Sequence, residues 1–224
     1  NSSTKGCVIM APFFPEHLIT WGEKRVLRKV VQAACLARRL GAEIVGLGGF
    51  ASIAGNEGEE VSRCLGVAVT SGNTYTAAMA LRGIRTAARL LGIQLDQATA
   101  AIIGATGDIG SACARVLSRE VRVLNLAARN EVRLENFASS LQAEAKCSIR
   151  ITKYTADAIR SADVILTATS SLTTLIRPED VQPGAFICDV AIPHNVAADL
   201  IQYRNDVLAF EVGLARLPSR LIER

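Results

Sequence analysis

The residues of this chain best placed to do chemistry lie near its middle, in Ala101-Ile102-Ile103-Gly104-Ala105-Thr106-Gly107-Asp108-Ile109-Gly110-Ser111. An apolar run leads into a glycine at every third position, and a helical pattern follows. In that setting Gly104 permits a tight turn, Gly107 lets the backbone approach a pyrophosphate, and Gly110 lets the helix pack closely on the strand. The amides from Thr106 through Asp108 and Ile109 would then face the phosphates, with the helix dipole behind them. The spacing is G-x-x-G-x-x-G, one residue longer before its second glycine than G-x-G-x-x-G. Without a ligand, the same residues would make only a tight strand–helix turn.

The end of the next strand decides which nucleotide such a turn would take. NAD sites usually carry Asp or Glu there, about 20 residues beyond the glycines, to bind the ribose 2′-hydroxyl. This chain has Leu126-Ala127-Ala128-Arg129-Asn130, with Arg133 one helical turn on. A guanidinium binds a 2′-phosphate through charge-assisted hydrogen bonds, and a carboxylate would repel it. The expected cofactor is therefore NADP(H), clamped by Arg129, with Asn130 and Arg133 beside it. Thr169 and Ser170 close a later strand, Ala162–Ser171, whose polar end would border the nicotinamide ribose. Asp189, at the end of Cys188-Asp189-Val190-Ala191-Ile192, is either a structural carboxylate or one bordering the site.

Other chemistries find less support. Six cysteines (Cys7, Cys35, Cys64, Cys113, Cys147 and Cys188) stand far apart and mostly in apolar runs, where a buried thiol acts as a small hydrophobe. With two histidines in the chain, no metal site is expected. His17, beside Glu16, is either a proton donor or a surface histidine. Aromatic residues are 4% of the chain, too few for a surface that stacks nucleic-acid bases. A net charge of +4 suits an acidic partner without demanding one. Neither a signal peptide nor an apolar run of membrane-spanning length is visible, so a reducing, cytoplasmic setting is expected.

Hydrophobic periodicity supplies the elements that must hold these residues. Strands are expected at Val8–Phe14, Glu43–Phe50, Val67–Val69, Ala100–Ala105, Val121–Ala127, Ser148–Thr152, Val164–Ala168, Ala185–Ile192 and Val207–Val212. A capping box, Thr20-Trp21-Gly22-Glu23, opens a first helix with the apolar stripe Leu27, Val30, Val31 and Ala34, and Gly41 ends it. Further helices are expected at Thr74–Leu91, Gly110–Leu117, Val132–Ala143 and Ala156–Ser161. Strands alternating with helices imply an α/β protein built on a Rossmann-type, doubly wound parallel sheet. We expect a smaller N-terminal α/β substrate lobe at 1–92 and an NADP-binding domain at 93–224, joined by the Thr74 helix with the site in their cleft. Glu16, Gly49, Ser52, Ser71 and Asn73 lie at strand ends or helix starts of the first lobe. They are the substrate-side candidates, although the glycine would serve equally to turn the chain and Asn73 to cap a helix.

Four stretches occur in one order: Phe13-Phe14-Pro15-Glu16, Gly46-Leu47-Gly48-Gly49-Phe50-Ala51-Ser52-Ile53, Thr70-Ser71-Gly72-Asn73-Thr74-Tyr75-Thr76-Ala77 and the glycine turn. Together they resemble the cyanobacterial-type long-chain acyl-(acyl carrier protein) reductases across nearly the whole chain. The resemblance implies NADPH-dependent reduction of a fatty acyl thioester to the aldehyde, delivered by acyl carrier protein, through a cysteine that takes the acyl group. That cysteine lies beyond the Rossmann strands in the family. This chain stops at Arg224, so no position matches it, and the stretch before Phe13 looks shortened. The catalytic nucleophile is thus unassigned, and the resemblance implies a fragment or divergent member whose own thioester reduction is very weak or absent. Gly72-Asn73-Thr74 heading a helix into an NADP-type domain is also similar to shikimate dehydrogenases, which move hydride to or from a carbinol without a covalent intermediate. Their Lys and Asp pair has no convincing counterpart, since Lys24 and Lys29 sit on a basic helix and Asn73-Thr74 runs on to Tyr75. The remaining reading is a non-catalytic NADP(H)-binding module. Oligomeric state is left open.

Overall fold

The computed structural model describes residues 6–213 except 15, 172 and 193. The chain divides into two compact units between Asn73 and Thr74.

The first unit contains α1 (His17–Thr20), α2 (Glu23–Arg39), β1 (Ile44–Gly46), a 3-10 turn at Gly49–Ser52, α3 (Ala54–Glu57), α4 (Glu59–Leu65) and β2 (Ala68–Thr70). β1 and β2 pair in parallel, with Ile44 opposite Ala68 and Gly46 opposite Thr70. A parallel pair requires a crossover, and α3 and α4 supply it. Val26, Val30, Ala34 and Ala37 of α2 are buried with Val45, Leu47, Val61 and Leu65. The α2 stripe is therefore displaced from the expected one: Leu27 and Val31 lie partly buried at its flank.

Two expectations for this unit fail. No strand forms at Val8–Phe14: Ile9 and Phe13 pack on the core, while Val8 and Met10 are 95% and 87% exposed. Apolar alternation alone does not make a strand when no ladder partner accepts it. Pro15 lies outside the described residues. The capping box does not form either. Gly22, at φ 75°, is the N-cap of α2, and the Thr20 hydroxyl instead donates to the Glu16 carbonyl at 3.1 Å. Thr20 is the last residue of α1, which removes it from the α2 terminus.

The second unit begins with α5 (Asn73–Leu91), which starts at the division between the units. There follow β3 (Thr99–Ile103), α6 (Asp108–Leu117), β4 (Val123–Ala127), α7 (Glu131–Gln142), β5 (Ser148–Thr152), α8 (Thr155–Ile159), β6 (Val164–Thr167), β7 (Phe186–Asp189), α9 (Ala198–Tyr203) and β8 (Leu208–Glu211). The six strands form one parallel sheet in the order β5-β4-β3-β6-β7-β8. This is a Rossmann-type doubly wound sheet, with its order reversing between β3 and β6.

Burial on both faces explains why the central strands read as unbroken apolar runs. Along β3, Ala100 and Ile102 enter one core with Leu81 and Ile84 of α5 and with Leu117 and Leu134. Ala101 and Ile103 enter the opposite core with Ala158, Ile159, Ile165, Ile187 and Leu200. α5 thus packs in the sheet's own core rather than serving only as a connector, and the compact units part at 73 rather than at 92. Its Gly83 lets the Phe210 ring of β8 approach so closely that a Cβ there would lie 2.8 Å from it.

Candidate functional site

The turn between β3 and α6 is built on three glycines with separable reasons. Gly104 has φ +87°, and a Cβ there would sit 2.3 Å from the Ala168 carbonyl oxygen, so both conformation and close approach demand glycine. A Cβ on Gly110 would lie 2.2 Å from the Gly104 oxygen, so this position fixes how closely α6 meets the strand. Gly107 differs. Its φ of −80° is open to any residue, and a Cβ would find its nearest protein atom at 3.5 Å, ordinary contact distance. Nothing among the described residues requires glycine there, whereas a phosphate lying over the α6 terminus would. The turn therefore fits a dinucleotide.

Around it, the amides of Gly104 and Ala105 both donate to the Ala127 carbonyl at the end of β4. Thr106 and Ile109 are partly buried, with Ile109 packed on the core, and Asp108 is exposed at the first position of α6. A carboxylate there repels a phosphate, so Asp108 suits the turn through its backbone amide rather than its side chain.

Arg129 is exposed in the loop after β4, and Arg133 is exposed on the first turn of α7. Neither guanidinium makes a hydrogen bond or ion pair among the described residues. Asn130 is the N-cap of α7, its side-chain oxygen accepting from the Arg133 amide at 2.9 Å. That is a structural role which leaves the carboxamide less free to bind a ligand. The nearest acid in sequence, Glu131, is drawn off by Lys153 at 3.2 Å.

Across the order reversal, Gly104 abuts Ala168 and Thr169, so two of the expected cofactor contacts are neighbours. Thr169 Oγ1 donates to Asn195 Oδ1 at 2.8 Å and accepts from the Ser171 amide, while Ser170 is exposed. Behind them lies a network the sequence did not reveal. Asp189 is 3% exposed and accepts from the Thr167 hydroxyl, the Ala191 amide (3.0 Å) and the Asn195 amide (3.2 Å). His194 Nδ1 lies 3.3 Å from Asp189 Oδ2, and Nε2 lies 3.4 Å from Glu211 Oε1. Asp189 and Glu211 are register partners on β7 and β8, so the imidazole spans the C-terminal ends of two adjacent strands. The only sequence signal was a polar Asp189 ending an apolar strand, with His194 five residues on.

In the first unit, the loops holding Gly49 and Ser52 and holding Ser71 and Asn73 leave the same end of the β1–β2 pair. Gly49 has φ +54° and its carbonyl accepts from Ser52 Oγ at 2.7 Å. Ser71 Oγ accepts from the Asn73 amide at 3.5 Å, and Asn73 opens α5. Glu16 is exposed at the N-terminus of α1. His17 stacks on Trp21 at 3.7 Å, and its Nδ1 accepts from the Phe14 amide, a local structural use. This unit also holds an open cavity of about 1220 Å³ lined by Met10, Phe13, Ala33, Ile44, Val45 and Phe50 among others, almost all apolar.

The thiols divide by burial, although most were expected in apolar surroundings: Cys7 and Cys64 are exposed, Cys35 and Cys147 half-buried, Cys113 and Cys188 buried. Burial pushes the thiols of Cys113 and Cys188 up to about 12, so neither forms a thiolate near neutral pH. Among the described residues no group of His, Cys, Asp and Glu could hold a metal ion, and no helix is long and apolar enough to cross a membrane.

Three comparisons bear on this geometry. The long-chain acyl-[acyl-carrier-protein] reductase of Synechococcus elongatus is 40% identical over 146 residues, which are 61% of this chain and 42% of the reductase. The aminotransferase PigE of a Serratia species is 33% identical over 174 residues, 77% of this chain and 20% of PigE. The chain thus spans less than half the length of these curated relatives. In fold, it is similar to a dipicolinate synthase subunit from Bacillus halodurans, with TM-score 0.51, 16% identity and coverage of 75% of this chain and 57% of that one. Residues 85–212, from within α5 to one residue beyond β8, match the family described as shikimate/quinate 5-dehydrogenase. By their descriptions, both the matching family and the reductase relative are oxidoreductases. With more than half of its length in that match, the chain belongs to the shikimate/quinate 5-dehydrogenase family.

Proposed function

We propose that the second unit binds NADP(H) and serves an oxidoreductase that reduces an acyl thioester, the carrier being acyl carrier protein. The observation that carries the nucleotide half is Gly107, a glycine that neither backbone nor packing explains, at the mouth of a turn whose flanking strand leads into two arginines without partners among the described residues. Gly104, Gly107, Gly110 and the α6 amides would hold the pyrophosphate, Arg129 and Arg133 the 2′-phosphate, and Thr169 and Ser170 the nicotinamide side. When bound, a reduced nicotinamide supplies hydride to an electrophilic carbon. The thioester half is supported by the reductase relative and by the apolar cavity of the first unit, which exceeds the ~300–1,000 Å³ of common small-molecule sites. Glu16, Gly49, Ser52, Ser71 and Asn73 remain the substrate-side candidates in that unit.

Calorimetry tests the cofactor. NADPH should bind more tightly than NADH, and Arg129→Ala should remove most of the difference. A hydrogen bond to a charged group contributes about 1.5–3 kcal/mol, so the loss should be roughly tenfold or more. Equal affinities for the two nucleotides would refute the clamp.

A second reading follows from the family match: a carbinol dehydrogenase that needs no covalent intermediate. Mass spectrometry after incubation with an acyl thioester, beside turnover assays with hydroxy acids, separates the two. We expect no acyl adduct on any of the six cysteines and very weak thioester reduction by this chain; a stoichiometric adduct would assign the nucleophile and reverse that expectation.

A further inference from the structure

We propose that His194, oriented by Asp189, is the residue that exchanges the substrate proton at the nicotinamide end of the site, an inference that rests on the nucleotide reading above. The placement comes from a chain of contacts. The glycine turn at Gly104 touches Thr169, Thr169 donates to Asn195, and the Asn195 amide donates to Asp189, against which the neighbouring His194 rests. All of these stand at the C-terminal ends of β3, β6 and β7, where ligands of doubly wound sheets bind.

The electrostatics suit the task. Asp189 is buried and accepts three hydrogen bonds, which hold its side chain in one orientation. Facing it, His194 Nδ1 lies 3.3 Å from Asp189 Oδ2, a placement that assigns Nδ1 to the carboxylate and Nε2 to the exchange with substrate. The side chain is 51% exposed, and Nε2 lies 3.4 Å from the more exposed Glu211 carboxylate, which links it to solvent for proton return. Among the described residues these two carboxylates are the titratable groups facing the imidazole; Cys188 lies behind Asp189 with its thiol held protonated. In the reducing direction the substrate carbonyl carbon gains hydride, its π electron pair moves to oxygen, and that oxygen takes the proton from Nε2. The reductant is the reduced nicotinamide nucleotide, and the imidazolium is left neutral with Nδ1–H still against Asp189.

The chain has two histidines, so its imidazole NMR spectrum holds two Cε1–H signals, and a His17→Gln variant assigns them. The signals are titrated with pH in the free protein and with saturating NADP+, NADPH or 2′,5′-ADP, while calorimetry monitors binding. A cationic nicotinamide beside the imidazole disfavours the imidazolium, so NADP+ should lower the His194 midpoint relative to NADPH by about half a pH unit or more. 2′,5′-ADP, which lacks the nicotinamide, should leave that midpoint where the free protein has it. A structural histidine would show one midpoint in all three complexes, and that result, with binding confirmed, overturns the proposal alone. No binding of any nucleotide would overturn the cofactor reading, and this proposal with it.

Discussion

Thr167 and Asp189 stand opposite each other on the last rung shared by β6 and β7, and the threonine hydroxyl donates to the buried carboxylate. The contact ties the sheet to the segment holding His194 and Asn195, because the same carboxylate receives the Ala191 and Asn195 amides. Thr167→Val keeps the shape and removes the donor. A hydrogen bond to a charged group is worth about 1.5–3 kcal/mol, and urea unfolding should show a loss of that size. An unchanged midpoint would mean that the two backbone amides suffice.

The glycines of the turn should separate folding from binding. Gly110→Ala drives a Cβ into the Gly104 backbone at 2.2 Å and should cost about 1–3 kcal/mol or more. Gly107→Ala meets nothing closer than 3.5 Å, so stability should stay within about 0.5 kcal/mol. Its nucleotide affinity should still fall on the order of tenfold or more, because the methyl group occupies the phosphate's approach. Thermal unfolding and calorimetry on the two variants read these effects independently.

Thiol labelling should follow burial. At pH 7.5 an alkylating reagent should modify Cys7 and Cys64 in the folded protein, and Cys113 and Cys188 only after denaturation. Rapid native labelling of Cys188, counted by mass spectrometry, would contradict the packing of β7.

The same two thiols make stability fall in alkali. Folded, they stay protonated to about 12, whereas in the unfolded chain they ionise near 9. Above pH 9 the unfolded state therefore binds fewer protons than the folded one, and stability declines with pH. The contribution is intact below about pH 9 and is progressively lost toward 12. Replacing both cysteines with alanine should flatten that decline in a series of urea midpoints.

The Rossmann half was legible because its strands are buried on both faces. Thr99–Ile103, Val123–Ala127 and Val164–Thr167 read as short apolar runs between turns, and such runs have few other fates. The first unit was less legible. Val8–Phe14 has strand composition without a partner, and α4 and α9, seven and six residues long, are too short to show a helical period. Glycine spacing located the turn, but His194 was invisible because its partners, Asp189 and Glu211, meet it only through the parallel pairing of β7 with β8.

Gly83 in α5 and Phe210 in β8 come from opposite ends of the second unit's chain order, yet the helix is shaved of its side chain there to admit that ring. On the ribosome, α5 is made long before the strand that covers it, and until Phe210 emerges this face of the helix has no lid. A truncation just before β8 would therefore make the buried strand β7 the sheet edge and open a helix groove to other chains at once.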